Sequence, residues 1–205
     1  MKQLVKRYFS TLLRAQQEAI VTCANGVPVG LDRFFETVIE WSHHTHACGG
    51  KLMFIGNGGS ATIASHMAID FIKNGGMRAL AFNDGAALTC LGNDLGYANV
   101  FAKQIEMLAS EKDLLVAISS SGNSENILKG VAAARSAGCD IVTMSGFAID
   151  NPLRKLGDLN LYVASQEYGF VEAAHLGLCH AWIDFATGWE GKTNAPIGNV
   201  REFAA

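Results

Sequence analysis

The stretch Lys51-Leu52-Met53-Phe54-Ile55-Gly56-Asn57-Gly58-Gly59-Ser60-Ala61-Thr62-Ile63-Ala64-Ser65-His66-Met67-Ala68-Ile69-Asp70 decides the fold class. Its first five residues make a short, largely apolar run suited to a buried strand. Gly56, Gly58 and Gly59 make a turn, and the pattern beyond them is helical. Glycines let the backbone approach a ligand closely, and the free N–H groups at a helix start point toward an anion. Ser60 adds a hydroxyl at the turn. His66 and Asp70 stand at i and i+4 and so share one helix face. A phosphate cradle with a His/carboxylate pair beyond it suggests chemistry on a small phosphorylated molecule. Plainer readings stand beside this one: a glycine turn is often only a tight connection, and a His/Asp pair is often only a surface hydrogen bond.

The rest of the chain alternates in the same way. Apolar runs at 79–82, 114–118, 141–144 and 159–163 are further strands, with helices expected to about Ile72, over Val100–Leu108, over Ile127–Ala137 and from about Val171 to Thr187. Alternating strands and helices predict an α/β fold with a five-stranded parallel sheet wound by right-handed crossovers. Ahead of it, apolar spacing predicts a helix over residues 3–24, broken by Gly26, Pro28 and Gly30, and a second over 31–46. Two helices before the first strand exceed what one sheet face needs, so both are expected to pack on another subunit. His43, His44 and His46 read as a polar helix end rather than a metal tract. The expected organisation is one domain over 1–205: N-terminal helices at 1–47, the sheet domain at 48–187 and a polar tail at 188–205.

The 205 residues suffice for such a domain with a full core. They are 49% hydrophobic and 17% charged, which hints at extra buried surface such as a subunit interface. A net charge of −3 gives no reason to expect nucleic acid or an anionic membrane as partner. No apolar run is long enough to span a bilayer. The N-terminus is basic, lacks a continuous apolar stretch and reads as mature sequence. Five scattered cysteines (Cys23, Cys48, Cys90, Cys139, Cys179) with no CxxC fit reduced thiols in a cytoplasm.

Ser119-Ser120-Ser121-Gly122-Asn123-Ser124 follows the third strand and is the more specific signal. Hydroxyls and backbone N–H groups together can satisfy the oxygens of a phosphate monoester. The loop has no lysine and no GxxxxGK[ST] pattern, which argues against a nucleotide-triphosphate site. Gly56-x-Gly58-Gly59 misses the dinucleotide fingerprint because position 61 is Ala. Gly92-Asn93-Asp94-Leu95-Gly96 reads as a third polar loop. In a parallel sheet ligands bind beyond the carboxyl ends of the strands, so the three loops are expected to meet there.

Gly56-Asn57-Gly58-Gly59-Ser60, His66, Gly92-Asn93-Asp94, Ser119-x-Ser121-Gly122-Asn123-Ser124 and His180 together closely resemble the phosphoheptose isomerases, proteins of the sugar-isomerase (SIS) fold. The resemblance covers roughly residues 1–187. It implies a flavodoxin-like three-layer sandwich, aldose–ketose isomerisation of sedoheptulose 7-phosphate through an enediol on the way to heptose for cell-surface polysaccharide, a divalent metal that is often zinc, and a homotetramer. Carried over by position, metal ligands fall on His66, Asp70, Glu172 and His180. Phosphate contacts fall on Ser119, Ser120, Ser121 and Ser124. Sugar contacts fall on Asn57, Gly58, Gly59, Asn93 and Asp94, with Ser60 and Glu172 also facing substrate. The chemistry needs a base near the carbon and an acid near the carbonyl oxygen; Asp70 suits the base and His180 the acid.

The chain departs from the family pattern at four places. Asp70 stands for the usual Glu, Glu172 for Gln, Asn74 for Arg, and Gly169-Phe170 for Asp-Arg. A different sugar phosphate is therefore an alternative substrate, and a non-catalytic SIS module binding a sugar phosphate or a protein is an alternative function. His180 discriminates the last of these, although its apolar neighbours also suit a core histidine. Glu172 and His180 are eight residues, about 12 Å, apart along one helix, which makes a shared metal demanding within one subunit.

Overall fold

The computed structural model describes residues 1–191, so most of the tail expected over 188–205 lies outside the described residues. One seven-stranded sheet organises the chain. Its strands are β1 (Ile20–Cys23), β2 (Pro28–Val29), β3 (Leu52–Gly56), β4 (Ala79–Ala81), β5 (Leu114–Ser119), β6 (Asp140–Ser145) and β7 (Leu159–Tyr162). They lie in the order β2-β1-β7-β6-β5-β3-β4. The last five are parallel, and these are the five strands that the apolar runs predict. Counted among themselves they take the order 2-1-3-4-5, the flavodoxin-like winding, in which the direction of winding reverses between β3 and β5.

The strands read as near-continuous apolar runs because both faces are covered. Leu52, Phe54, Leu114, Val116, Val142 and Met144 face a core shared with α2 (Leu31–Ala47), α3 (Gly59–Lys73) and α7 (Tyr168–Ala186). The alternate residues Met53, Ile55, Leu115, Ala117 and Ile141 face α5 (Val100–Leu108) and α6 (Glu125–Ser136). This is the period-two alternation of a pleated strand feeding two cores.

Three expectations need correction. The first helix, α1 (Lys2–Gln17), stops short of residue 24, because Ile20-Val21-Thr22 is β-branched and pairs antiparallel with β7 on one side and β2 on the other. The sheet thus gains a hairpin and has seven strands rather than five. Second, α2 packs inside this chain: Phe34 and Val38 are fully buried in the sheet core. Third, Gly92-Asn93-Asp94-Leu95 is the last turn of α4 (Gly85–Leu95) rather than a loop. Asp84 caps that helix by accepting from Ala87 N–H at 2.8 Å, and Gly96 ends it at φ +79°.

Helix α1 has no buried residue. It lies on α7, where Tyr8 packs against Phe170 with ring centroids 4.7 Å apart. A Cβ at Gly177 would meet the Gln16 amide at 2.1 Å, so the helices approach closely there. Leu4, Phe9 and Leu13 stay exposed. At the end of α2, His46 Nδ1 accepts from Arg78 N–H at 3.4 Å and His44 lies 3.6 Å from the Cys48 thiol, a polar helix end as the sequence suggests.

Trp182 clamps three helices. Its ring packs edge-on against Phe34 of α2 and Phe71 of α3, and its Nε1–H donates to Ser42 Oγ at 3.0 Å. Trp182→Ala is expected to remove about 3–5 kcal/mol of stability in urea unfolding; a loss below about 1 kcal/mol would show that the clamp carries little.

Candidate active site

The loops after β3 and β5 lie side by side because those strands are neighbours at the winding reversal. Between them is a cavity of about 250 Å³ lined by Gly58, Gly59, the serines of the second loop, Tyr168 and Glu172. Two helix starts point into this region, α3 from Gly58 and α6 from Ser124. Their first N–H groups have no partners within the helices. Gly58 takes φ +54°, which a glycine adopts without strain.

The hydroxyls are divided in use. Ser119 Oγ accepts from Gly122 N–H at 3.2 Å and Ser121 Oγ from Asn123 N–H at 3.3 Å, which shapes the loop. Ser124 stands at the start of α6 without a side-chain capping bond. Ser120 Oγ is buried without a hydrogen-bond partner. A buried hydroxyl left unpaired costs about 1–3 kcal/mol, and an anion in the cavity is the kind of group that would pair it.

The two loops are bolted together by an amide pair. Asn57 Nδ2 donates to Asn126 Oδ1, and Asn126 Nδ2 donates back to Asn57 Oδ1, both at 2.9 Å. Tyr97 Oη donates to the same Asn57 oxygen at 3.0 Å. Asn126 and Tyr97 escape a reading of the sequence because their partners are distant in it; the one signal is a polar side chain in the first turn of a helix that packs on the core.

A second cavity, about 460 Å³, runs between α3 and α7 and shares Gly59 and Glu172 with the first. His66 lines it. His66, Asp70 and His180 converge: their nearest ligand atoms all lie within 4.8 Å of one another. Asp70 Oδ2 is 3.4 Å from His66 Nε2 and 3.7 Å from His180 Nδ1. Neighbouring ligands on a tetrahedral zinc are about 3.3 Å apart, given bonds of about 2.0 Å, so Asp70 stands near ligand spacing from each histidine, and the three residues could hold a metal. Glu172 stands outside this group. Its carboxylate lies against Gly59, where a Cβ would come 2.4 Å from Cδ, and it forms no hydrogen bond or ion pair among the described residues. The eight-residue offset on α7 thus leaves Glu172 at the border between the cavities. Asn93 and Asp94 are exposed, bonded to each other at 2.8 Å, and do not meet the loops within this chain.

The family model of the SIS domain matches residues 32–146. A phosphoheptose isomerase from Helicobacter hepaticus is 31% identical over 203 residues, 95% of this chain and 98% of its own length. The chain belongs to the phosphoheptose isomerase family. Another member, from Solidesulfovibrio magneticus, is 41% identical over 140 residues, 65% of this chain and 68% of its own length. The structure of the phosphoheptose isomerase from Neisseria gonorrhoeae matches with a TM-score of 0.77 at 30% identity, covering 90% of this chain and 98% of that one.

The structure gives local sense to some departures from the family pattern. Asn74 caps α3, its N–H bonded to Asp70 O at 2.8 Å. Gly169-Phe170 is where α1 docks through Tyr8. His175 is wholly buried and faces Ser145 O from Nε2 at 3.1 Å, while its Nδ1 has no partner. Because a carbonyl only accepts, Nε2 carries the proton. Burial pushes the His175 pKa down to about 4, against the pull of the Ser145 bond. The unfolded chain therefore takes up a proton between about pH 6.5 and 4 that the folded chain refuses. Stability from this group is complete above about pH 6.5 and falls on acidification by up to about 1.4 kcal/mol per pH unit. Urea unfolding at pH 7 and pH 5 is expected to show this loss in the native protein and not in His175→Gln; equal pH dependence in the two would contradict it.

Proposed function

We infer that the chain isomerises sedoheptulose 7-phosphate to the corresponding aldose phosphate, and that it does so with a divalent metal. The observation that carries this reading is the convergence of His66, Asp70 and His180 beside an anion cradle with an unpaired buried hydroxyl. A non-catalytic SIS module has no need of that convergence.

The substrate's phosphate sits on the serine loop, with Ser120 and Ser124 donating hydroxyls and the starts of α3 and α6 donating N–H groups. Glu172, an acceptor only, takes hydroxyls of the sugar where the cavities join. The reacting carbons then lie toward the histidines. His66, Asp70 and His180 would hold the cation; His and carboxylate donors suit zinc. When bound, the cation supplies polarisation of the carbonyl and hydroxyl oxygens. The second carboxylate oxygen of Asp70 has no hydrogen-bond partner among the described residues and takes the proton from C1. His180 Nε2, likewise unpartnered, protonates the C2 oxygen to give the enediol. Asp70 returns the proton to C2, and the C1 hydroxyl gives its proton back to His180 Nε2, which completes the aldose and restores both groups.

The whole chain acts as one SIS domain, assembled as a homotetramer. The exposed Leu4, Phe9 and Leu13 of α1 and Ile69 and Ile72 of α3 are the surface that further copies would cover, and Ile69 is next to Asp70. Asn93 and Asp94 then meet substrate only if assembly brings them there. No helix among the described residues is long and apolar enough to cross a membrane, and all five cysteines are free thiols, which suits a cytoplasmic enzyme supplying heptose for cell-surface polysaccharide.

The test is conversion of sedoheptulose 7-phosphate by metal-stripped protein before and after adding Zn²⁺. Added zinc is expected to restore turnover, and zinc-loaded protein without conversion would overturn the substrate assignment. His66→Ala and Asp70→Asn are each expected to lose bound zinc and to cut turnover by at least about a hundredfold, while unfolding as cooperatively as the native protein. Full zinc content and full rate in either variant would remove that residue from the centre.

A further inference from the structure

We propose that His175 and Asn151 are positioning residues that set the phosphate loop, tying it through the end of β6 to the helix that carries His180. The proposal rests on the reading of the serine loop as the phosphate site.

The serine loop is held from behind by its carbonyls. Gly146 N–H donates to Ser120 O and Leu153 N–H donates to Gly122 O, both at 3.0 Å. In a planar trans peptide the carbonyl and the following N–H point in opposite directions. Anchoring Ser120 O to the segment after β6 therefore turns the Ser121 N–H the other way, toward the cavity that Ser121 lines, while anchoring Gly122 O turns the Asn123 N–H toward Ser121 Oγ, which accepts it. The loop's donors are aimed by what grips its acceptors.

Asn151 shapes that gripping segment. It is buried, and its Nδ2 lies within hydrogen-bond distance of Ala148 O at 2.9 Å, Gly146 O at 3.1 Å and Ser145 Oγ at 3.2 Å. Its Oδ1 accepts from Arg154 N–H at 3.1 Å, which starts the helical turn Pro152–Lys155 that holds Leu153. Gly122 takes φ +61°, and a Cβ on it would lie 2.0 Å from Asn151 Oδ1 and 3.0 Å from Asn151 Cβ. The asparagine side chain thus fills the space that the glycine leaves, and backs the loop by contact as well as through the segment.

His175 closes the path to α7. Its Nε2–H donates to Ser145 O at 3.1 Å, at the carboxyl end of β6 and one residue before Gly146. It lies on the same helix as Glu172 and His180. One buried bond therefore fixes how that helix sits against the strand end that orders the phosphate loop. Neither His175 nor Asn151 lines the cavity between the loops, so each acts through the loop and not on substrate.

The experiment compares native protein with His175→Leu, His175→Gln and Asn151→Ala, all zinc-loaded. It measures inorganic phosphate binding by calorimetry, zinc content, and kcat and KM on sedoheptulose 7-phosphate. Gln presents an amide N–H close to where Nε2–H stands and is expected to stay within about threefold of the native phosphate affinity. His175→Leu and Asn151→Ala are expected to weaken phosphate binding and raise KM by about tenfold, the effect of one lost hydrogen bond, with kcat within about threefold and zinc content unchanged. Unchanged phosphate affinity in a folded His175→Leu, or equal impairment of His175→Leu and His175→Gln, would overturn the proposal. So would native protein that binds no phosphate. Should Asn151→Ala not fold, the two His175 variants decide. If the native protein binds phosphate but does not convert sedoheptulose 7-phosphate, the substrate assignment fails, and the phosphate affinities alone still decide whether the loop is set this way.

Discussion

Everything at the site depends on the reversal of winding between β3 and β5. Strands laid down on the two sides of that reversal send their connections to opposite faces, and a crevice opens where the connections diverge. Here the two strands end in Gly56 and Ser119, so the glycine turn and the serine loop stand on the two walls of one crevice. Backbone donors at two helix starts then face the same space. Such donors can serve an anion without a charged side chain, so a loop that lacks a lysine is compatible with the proposed phosphate site.

The second constraint is the pairing of α3 with α7. His66 and Asp70 come one turn apart on α3, and His180 comes from α7 to within 3.7 Å of Asp70. Their meeting requires the two helices to keep one relative height. Trp182, two residues beyond His180, locks that height by packing on Phe71 of α3 and bonding to Ser42 of α2. Structural packing and the chemical group are thus built from the same turn of α7. Glu172, two turns earlier on the same helix, is carried to the cavity between the two loops instead.

Much of this was legible in the sequence. The five parallel strands are apolar runs because the sheet is covered on both faces, and the two loops carry their composition openly. The hairpin of β1 and β2 was not legible: Ile20–Cys23 follows a strong helical pattern directly, and its pairing with β7 joins residues about 140 positions apart. Gly92-Asn93-Asp94 has loop composition, yet a helix capped by Asp84 runs through it. At the site, the pairing of His66 and Asp70 follows from helix periodicity, whereas the arrival of His180 follows only from family resemblance. The separation of Glu172 from that group is a matter of helix rise and could be anticipated. Asn126, Tyr97, Asn151 and His175 act through partners far away in sequence, and no local pattern marks them.

The central claim is that one substrate spans both halves of the crevice, with its phosphate on the serine loop and its reacting end at the three converging side chains. A crystal structure of the protein grown with Zn²⁺ and sedoheptulose 7-phosphate, with anomalous data collected at the zinc edge, tests it most directly. The account predicts one anomalous peak about 2.0–2.2 Å from ligand atoms of His66, Asp70 and His180, and phosphate oxygens within hydrogen-bond distance of Ser120 and Ser124. Zinc bound elsewhere, or a phosphate seated away from the serine loop, would contradict it.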